Sequence, residues 1–261
     1  MAGSDDRALE ALARRAALGD CSILVKPLGA AGFGPAQRLA GAPHSPASMI
    51  KVPLAAAVYG LAAAGALDLD RPVEVSPANM TANDARSPLE PGFRTTIDEL
   101  VYLMVARSDN VATNELIDAA GRDSTTAWLH GAGLRQTFVR RKLSGSDPLI
   151  DDPGACGRNA HPAEDSAALF EMIAAAAVPG TDPILRALRE QVWNDKLPAG
   201  FHDGDTFEHK TGDTSDVSHD GGILSTREGR RYVIVVYTPL ASSPRSDAKL
   251  AAFARTLRAL L

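Results

Sequence analysis

Three short polar clusters follow one another along the chain: Ser48-Met49-Ile50-Lys51, Ser108-Asp109-Asn110 and Lys210-Thr211-Gly212. A hydroxyl and an amine three residues apart share one face of a helix, so the amine can take the hydroxyl proton and leave a nucleophile. That work needs Lys51 neutral. The ordinary lysine pKa is about 10.4, and half-neutrality at pH 7 requires the cation to be destabilised by roughly 4.6 kcal/mol through burial and a nearby like charge. Lys210 is the candidate for that charge. Pro46 and its polar neighbours put Ser48 near a helix start. There, unpaired backbone N–H groups and the positive end of the dipole favour a developing oxyanion, one donor being worth about 3 to 4 kcal/mol. The plain alternative is a surface lysine beside an N-capping serine.

A Ser-x-x-Lys spacing arises by chance about once in a chain this long, and Ser246-Asp247-Ala248-Lys249 repeats it here. Spacing alone therefore does not select Ser48. The other two triplets do, because both in this order are expected by chance in only about one of a thousand such chains. Each has a bland counterpart. The segment 108–110 also reads as a turn between two helices, with Asp109 capping the second. The segment 210–212 also reads as an ordinary strand end, where Gly212 lacks a side chain that would block a substrate along the strand edge.

Other constellations carry less. The six histidines, His44, His130, His161, His202, His209 and His219, occur without H-E-x-x-H spacing, and no C-x-x-C is present, so zinc is not expected. His219-Asp220 suggests a Ser-His-Asp triad, yet no serine sits in a G-x-S-x-G elbow, and a structural turn is the expected role. No G-x-x-x-x-G-K-[ST] loop is present either.

The elements that must position the clusters follow from periodicity. Leu9, Leu12, Ala13 and Ala16 share one face of a helix over 6–18, stopped by Gly19. A buried strand is expected over 22–25 and a short one over 37–40, joined by the Gly- and Pro-rich 27–35. From 48 to 193 the pattern is helical. Ile50, Leu54, Val58 and Leu61 share a face, as do Leu100, Leu103 and Met104, and Thr96 with Glu99 forms a capping box. Pro162 opens a helix carrying Leu169, Phe170 and Ile173 inward, and Leu185, Leu188 and Val192 suggest another. Strands return over 206–210, 221–225 and 231–237. A closing helix carries Leu250, Phe253, Leu257 and Leu260.

This order predicts an α+β fold. An antiparallel sheet from both chain ends is flanked by terminal helices, with an all-α lobe inserted. The expected division of the single 1–261 module is a sheet lobe of 1–45 with 203–261 and a helical lobe of 46–202, with a cleft between them as the expected site.

Of the 261 residues, 45% are apolar and 23% charged, an ordinary globular balance. The net charge of −5 and the lack of a basic run exclude a nucleic-acid footprint. Cys21 and Cys156, far apart in sequence, argue against a disulfide framework and leave a single bridge open. No segment reaches membrane-spanning length, and residues 1–20 are too charged for a secretory leader. A cytoplasmic monomer acting on a small molecule is the expectation, the alternative being an exported protein whose leader has been removed.

Taken with His44-Ser45-Pro46-Ala47-Ser48, 65–70, 103–107 and His219-Asp220-Gly221-Gly222, the three clusters resemble a class A β-lactamase or a near relative among the penicillin-recognising serine hydrolases. The likeness runs from about Cys21 to the C-terminus. It implies a β-lactamase-like serine hydrolase working through an acyl-Ser48 intermediate on a β-lactam or related amide, with no cofactor. By this resemblance Ser48 is the nucleophile and Lys51 its base, and the backbone N–H groups of Ser48 and Asp213 hold the oxyanion. Ser108 relays a proton to the leaving amine, Asn110 serves Lys51 and a substrate carbonyl, and Lys210 and Thr211 bind a substrate carboxylate.

One part of the pattern fails. Class A β-lactamases place a glutamate about as far past their Ser-Asp-Asn as Ser144 lies past Asn110, and here no glutamate occurs between Glu115 and Glu164. General-base help with water is typically worth a hundred to ten thousand fold in rate, so release of the acyl group is the step in question. Asp147, Asp151 and Asp152 are the nearby carboxylates that offer a substitute. The alternatives are an amidase, peptidase, esterase or transacylase on another metabolite, and a β-lactam-binding protein that is acylated without efficient turnover.

Overall fold

In a computed structural model, the structure describes residues 3–29, 32–146 and 148–261. The elements run in the order α1 (Ser4–Arg15), β1 (Ser22–Pro27), β2 (Ala36–Arg38), a 3-10 turn over Ala47–Ile50, and α2 (Lys51–Ala63). Next come β3 (Pro72–Glu74), β4 (Arg94–Thr96), α3 (Ile97–Ala106), α4 (Asn110–Ala120) and α5 (Arg122–Gly131). The chain closes with α6 (Ala163–Ala174), α7 (Thr181–Arg189), β5 (Thr206–Asp213), β6 (Ser218–Ser225), β7 (Arg231–Thr238) and α8 (Pro244–Arg258).

Among the described residues the main sheet is antiparallel, in the order β2-β1-β7-β6-β5. The apolar run of β7 sits at its centre, where both faces are covered. Tyr232, Ile234 and Val236 face the cluster formed by Leu9 and Ala13 of α1 and Leu250, Phe253 and Leu257 of α8. Val233, Val235 and Tyr237 are equally buried and, by the period of two, point to the other face. Helix α6 packs against β7, β1 and β6.

The chain divides into two compact units: Met1–Met49, Pro162–Ala175 and Gln191–Leu261, and then Ile50–His161 and Ala176–Glu190. The expected boundary at 46–202 does not hold for three segments. Residues 46–49 are drawn to the sheet unit by contact with Gly212, α6 by its packing on the sheet, and 191–202 by bonds from Lys196 and Leu197 to Asp213, His219 and Asp220.

In the second unit α2 is buried along its first ten residues, Lys51 to Gly60, which suits a helix surrounded by α3, α4, α5 and α7. Gly60 admits the ring of Trp128, since a Cβ there would lie 2.0 Å from the indole. Helix α3 opens with the expected capping box of Thr96 and Glu99.

Several expectations are corrected. Strand character does not vanish between 48 and 193, because β3 and β4 form a short antiparallel pair. Helix α7 ends at Arg189. Its buried face is Ile184, Ala187 and Leu188, while Val192 lies beyond it and is exposed. Leu260 likewise lies past α8 and is exposed, its place in the core being taken by Leu261. Strands β5 and β6 extend three residues further than their composition predicts, to Asp213 and from Ser218, because cross-strand pairing overrides the weak strand preference of Gly, Asp and Ser.

Candidate active site

In the helical unit Lys51 is the first residue of α2 and is fully buried. Its Nζ lies 2.5 Å from the Ser108 carbonyl oxygen, 3.1 Å from Ser108 Oγ and 2.8 Å from Asn110 Oδ1. These partners serve both protonation states. An ammonium donates to all three acceptors. A neutral amine donates to the two carbonyl oxygens and accepts from the Ser108 hydroxyl, so a proton can leave or arrive without stranding a buried polar group.

Ser108 reaches this position through a left-handed backbone, φ 56°, uncommon for a residue with a side chain and of the kind that persists where the surroundings impose it. Asp109 caps α4 by accepting from the Ala112 N–H at 2.9 Å, which assigns it the structural role expected for it. Asn110 is held from a loop outside the motif. Its N–H donates to Asn83 Oδ1 at 2.5 Å and its amide to the Ala82 carbonyl at 2.9 Å. Neither contact has a sequence signal, because 82–83 lies in an irregular segment 27 residues away.

The loop that lacks the glutamate is also tied down. Asn114 accepts from Leu143 N–H at 2.8 Å and donates to its carbonyl at 3.0 Å, while Ser144 Oγ accepts from Ile150 N–H at 2.9 Å. Of the three aspartates considered, Asp152 is committed to Arg122 through one oxygen and to Lys142 N–H through the other. Asp151 is exposed, and Asp147 lies outside the described residues.

In the sheet unit Ser48 is half-buried in the 3-10 turn, not within an α-helix as its spacing predicts. The Met49 N–H bonds to the Pro46 carbonyl, and Ala47 takes a left-handed φ of 46°, so the turn carrying Ser48 is tightly wound before α2 begins. Lys210, Thr211 and Gly212 lie inside β5 rather than at its end. A Cβ on Gly212 would stand 3.1 Å from the Pro46 carbonyl oxygen and from Met49 Cγ, and 3.3 Å from Ala47 Cβ. The glycine is there to admit the Ser48 turn. Lys210 is fully buried, with Nζ donating to the Thr211 carbonyl at 3.0 Å among its interactions.

His219 lies in β6, not in a turn, and no local motif signals the contact it makes. Its Nδ1 accepts from Thr238 N–H at 3.1 Å, so its Nε2–H donates to the Ser45 carbonyl at 2.8 Å, three residues before Ser48. Burial pushes its pKa down to about 4, with the Ser45 bond opposing, and keeps the ring neutral. The partner expected for it, Asp220, instead pairs with His209 Nδ1 at 2.8 Å and caps Leu197 N–H. The second Ser-x-x-Lys is a helix start: Ser246 lies in the first turn of α8, its Oγ donating to the Ala241 carbonyl.

A cavity of about 870 Å³ in the helical unit, lined by Tyr59, Leu67, Asp98 and Arg186 among others, contains none of the motif residues. Among the described residues no group of three or more His, Cys, Asp or Glu could hold a metal ion, and no helix is long and apolar enough to cross a membrane. Both cysteines are free.

With the elements and these side chains in place, the fold is that of class A β-lactamases and penicillin-binding proteins. A β-lactamase from Sphaerobacter thermophilus matches with a TM-score of 0.81 at 24% identity, covering 98% of this chain and 97% of that one. A variant of the penicillin-binding protein PBP-A, solved as an acyl-enzyme with penicillin G, matches with a TM-score of 0.79 at 24% identity over 97% and 94%. The β-lactamase regulatory protein BlaB of Streptomyces cacaoi is 24% identical, covering 81% of this chain and 84% of that protein. Residues 6–260 match the model of the β-lactamase enzyme family, and the chain belongs to that family. It is a β-lactamase-like serine hydrolase.

Proposed function

We propose that the protein opens a β-lactam or related amide through an acyl-Ser48 intermediate. Ser48 Oγ attacks the carbonyl carbon as its proton passes to neutral Lys51. The backbone N–H groups of Ser48 and Asp213 take the charge on the carbonyl oxygen. The C–N bond then breaks, and the leaving nitrogen receives a proton through Ser108 Oγ, which is replenished from Lys51 Nζ. The second amide hydrogen of Asn110 meets a substrate carbonyl. Thr211 with its hydroxyl and Lys210 with its charge bind a substrate carboxylate. Water then attacks the ester carbonyl, the bond from the acyl carbon to Ser48 Oγ breaks, and a water proton returns to Ser48 Oγ as the opened acid leaves.

The observation that supports this reading most is the buried Lys51 with Ser108 Oγ, Ser108 O and Asn110 Oδ1 around its amine, a network able to carry a proton in both directions. A second reading, an acyl-enzyme that persists, is favoured by the loop at Ser144, where a hydroxyl bonded to Ile150 N–H occurs at about the sequence spacing of the family's glutamate. The Streptomyces relative named for regulation accords with it.

Intact-protein mass spectrometry after mixing with penicillin G, followed over time beside a chromogenic cephalosporin assay, tests both. Rapid colour with a transient adduct supports hydrolysis, and a lasting adduct supports the second reading. If neither signal appears, or if Ser48→Ala behaves like the wild type, acyl-Ser48 chemistry on β-lactams is refuted.

A further inference from the structure

The helical unit's cavity of about 870 Å³ is of the size that small molecules occupy, and it is enclosed by α2, the 67–69 turn, Asp98 and the start of α7. Its walls are tied to one another. The Asp98 N–H donates to the Leu69 carbonyl at 3.2 Å, and the buried Tyr59 donates its hydroxyl to Asp98 Oδ1 at 2.6 Å. Gly180, left-handed at φ 71°, lays its backbone on the Tyr59 ring, where a Cβ would lie 2.1 Å from Tyr59 Cγ. Burial, and then the bond to Asp98, pushes the Tyr59 pKa well above the usual phenol range, so the proton stays on the phenol and Asp98 remains its acceptor.

Three carboxylates, Asp68, Asp98 and Asp182, line this cavity against one cation, Arg186. Among the described residues no salt bridge reaches any of the three, and the second oxygen of Asp98 has no hydrogen bond. Arg186 stands 5.6 Å from the centroid of the Tyr102 ring, whose hydroxyl donates to Glu190 at 2.6 Å, so the guanidinium already has an aromatic face and a carboxylate on its other side. Asp98 and Asp182 lie in the first turns of α3 and α7, where carboxylates are favoured, but helix ends do not call for an open cavity between them. We infer that this cavity is a second ligand site, with none of the motif residues in its lining, for a small organic cation: a primary ammonium on an apolar body. One available Asp98 oxygen suits an ammonium, whereas the fork of a guanidinium matches two. Leu67, Leu69 and Pro183 receive the apolar part. A bare metal ion does not fit, because the carboxylates do not converge on one point.

Three probes of nearly one shape, 3-phenylpropylammonium, 3-phenylpropanol and 3-phenylpropanoate, are titrated at neutral pH against the backbone amide signals of Leu69 and Gly180. The ammonium should bind on the order of tenfold tighter than the alcohol, as expected for one charge-assisted hydrogen bond in a partly solvated site, and the carboxylate should bind weakest. Asp98→Asn keeps an oxygen for the Tyr59 hydroxyl and removes the charge. It should bring the ammonium to within about twofold of the alcohol and leave the alcohol unchanged. Asp182→Asn, at an exposed position, should weaken the ammonium about twofold through charge alone, and it repeats the comparison should the first variant fold poorly. Ala62→Phe, filling the cavity from α2, should abolish binding of all three probes. Equal affinity for ammonium and carboxylate, an unchanged ammonium affinity in Asp98→Asn, or binding that survives Ala62→Phe overturns the inference. So does the absence of any shift at Leu69 and Gly180. Ser48→Ala should bind the ammonium like the wild type, so a failure of acyl-Ser48 chemistry leaves this result untouched.

Discussion

Placing a methyl group on Gly212 separates two demands that the same strand meets. In Gly212→Ala the new Cβ would lie 3.1 Å from the Pro46 carbonyl oxygen and Met49 Cγ and 3.3 Å from Ala47 Cβ. Ordinary carbon contacts begin near 3.5 Å, so the Ser48 turn must withdraw by a few tenths of an ångström. It has little slack, because Ala47 is already left-handed and the Ser45 carbonyl is held by His219. Overpacking of this kind costs about 1 to 2 kcal/mol. The shift falls on the nucleophile, where a displacement of about 1 Å costs on the order of a hundredfold, so acylation should slow about ten- to a hundredfold. Gly222→Ala is the contrast. There Cβ would fall 2.1 Å from the Glu208 carbonyl and 2.6 Å from His209 Cα, and only parting β5 from β6 relieves it, at a cost of about 3 kcal/mol or more. Urea denaturation and acylation followed by intact mass distinguish the two. Gly212→Ala acylating at the wild-type rate, or Gly222→Ala unfolding at the wild-type midpoint, refutes the argument.

Acid should act in two stages. His219 has a folded pKa of about 4 against an ordinary 6.5, so it contributes about 3 kcal/mol above pH 6.5. That contribution is lost as the pH falls towards 4, and His219→Gln should flatten this limb in urea midpoints measured from pH 7 to 4. For Asp205, burial raises the pKa, but bonds from Arg258 and from the Arg227 and His202 N–H groups outweigh it and bring the pKa to about 2. Its share of stability is complete above about pH 4 and lost towards pH 2. Arg258→Met should cost about 3 kcal/mol at neutral pH by leaving that buried carboxylate without its counter-ion, held only by the Arg227 and His202 N–H groups; a loss below about 1 kcal/mol in denaturation would contradict this. Asn83→Ala should slow acylation about tenfold while leaving the thermal midpoint nearly unchanged, and equal rates would remove the loop at 82–83 from the positioning of Asn110.

What could be read in the chain depended on whether the signal was local. The capping box at Thr96, the amphipathic faces of α1 and α8 and the apolar run of β7 each lie within one element, and periodicity reports them. The reaction groups were legible because the chemistry requires particular residue types at fixed spacing. Their supports were not. Asn83 reaches Asn110 across 27 residues and His219 reaches Ser45 across 174, and no periodicity links such pairs. Strands β3 and β4 span three residues each, too few to show alternation. The strand ends at Gly212-Asp213 and Ser218-His219 carry residues that disfavour strands, and their pairing partner compensates. Helix α6 showed its apolar face plainly, but the same pattern fits packing on helices or on a sheet.

Peptide mapping after a short incubation with penicillin G tests the central claim most directly, since two Ser-x-x-Lys segments compete within one chain. The account predicts the acyl group on the peptide containing Ser48, with its formation slowed at least a hundredfold in Lys51→Met. An acyl group on Ser246, or on Ser48 at an unchanged rate in Lys51→Met, would contradict it.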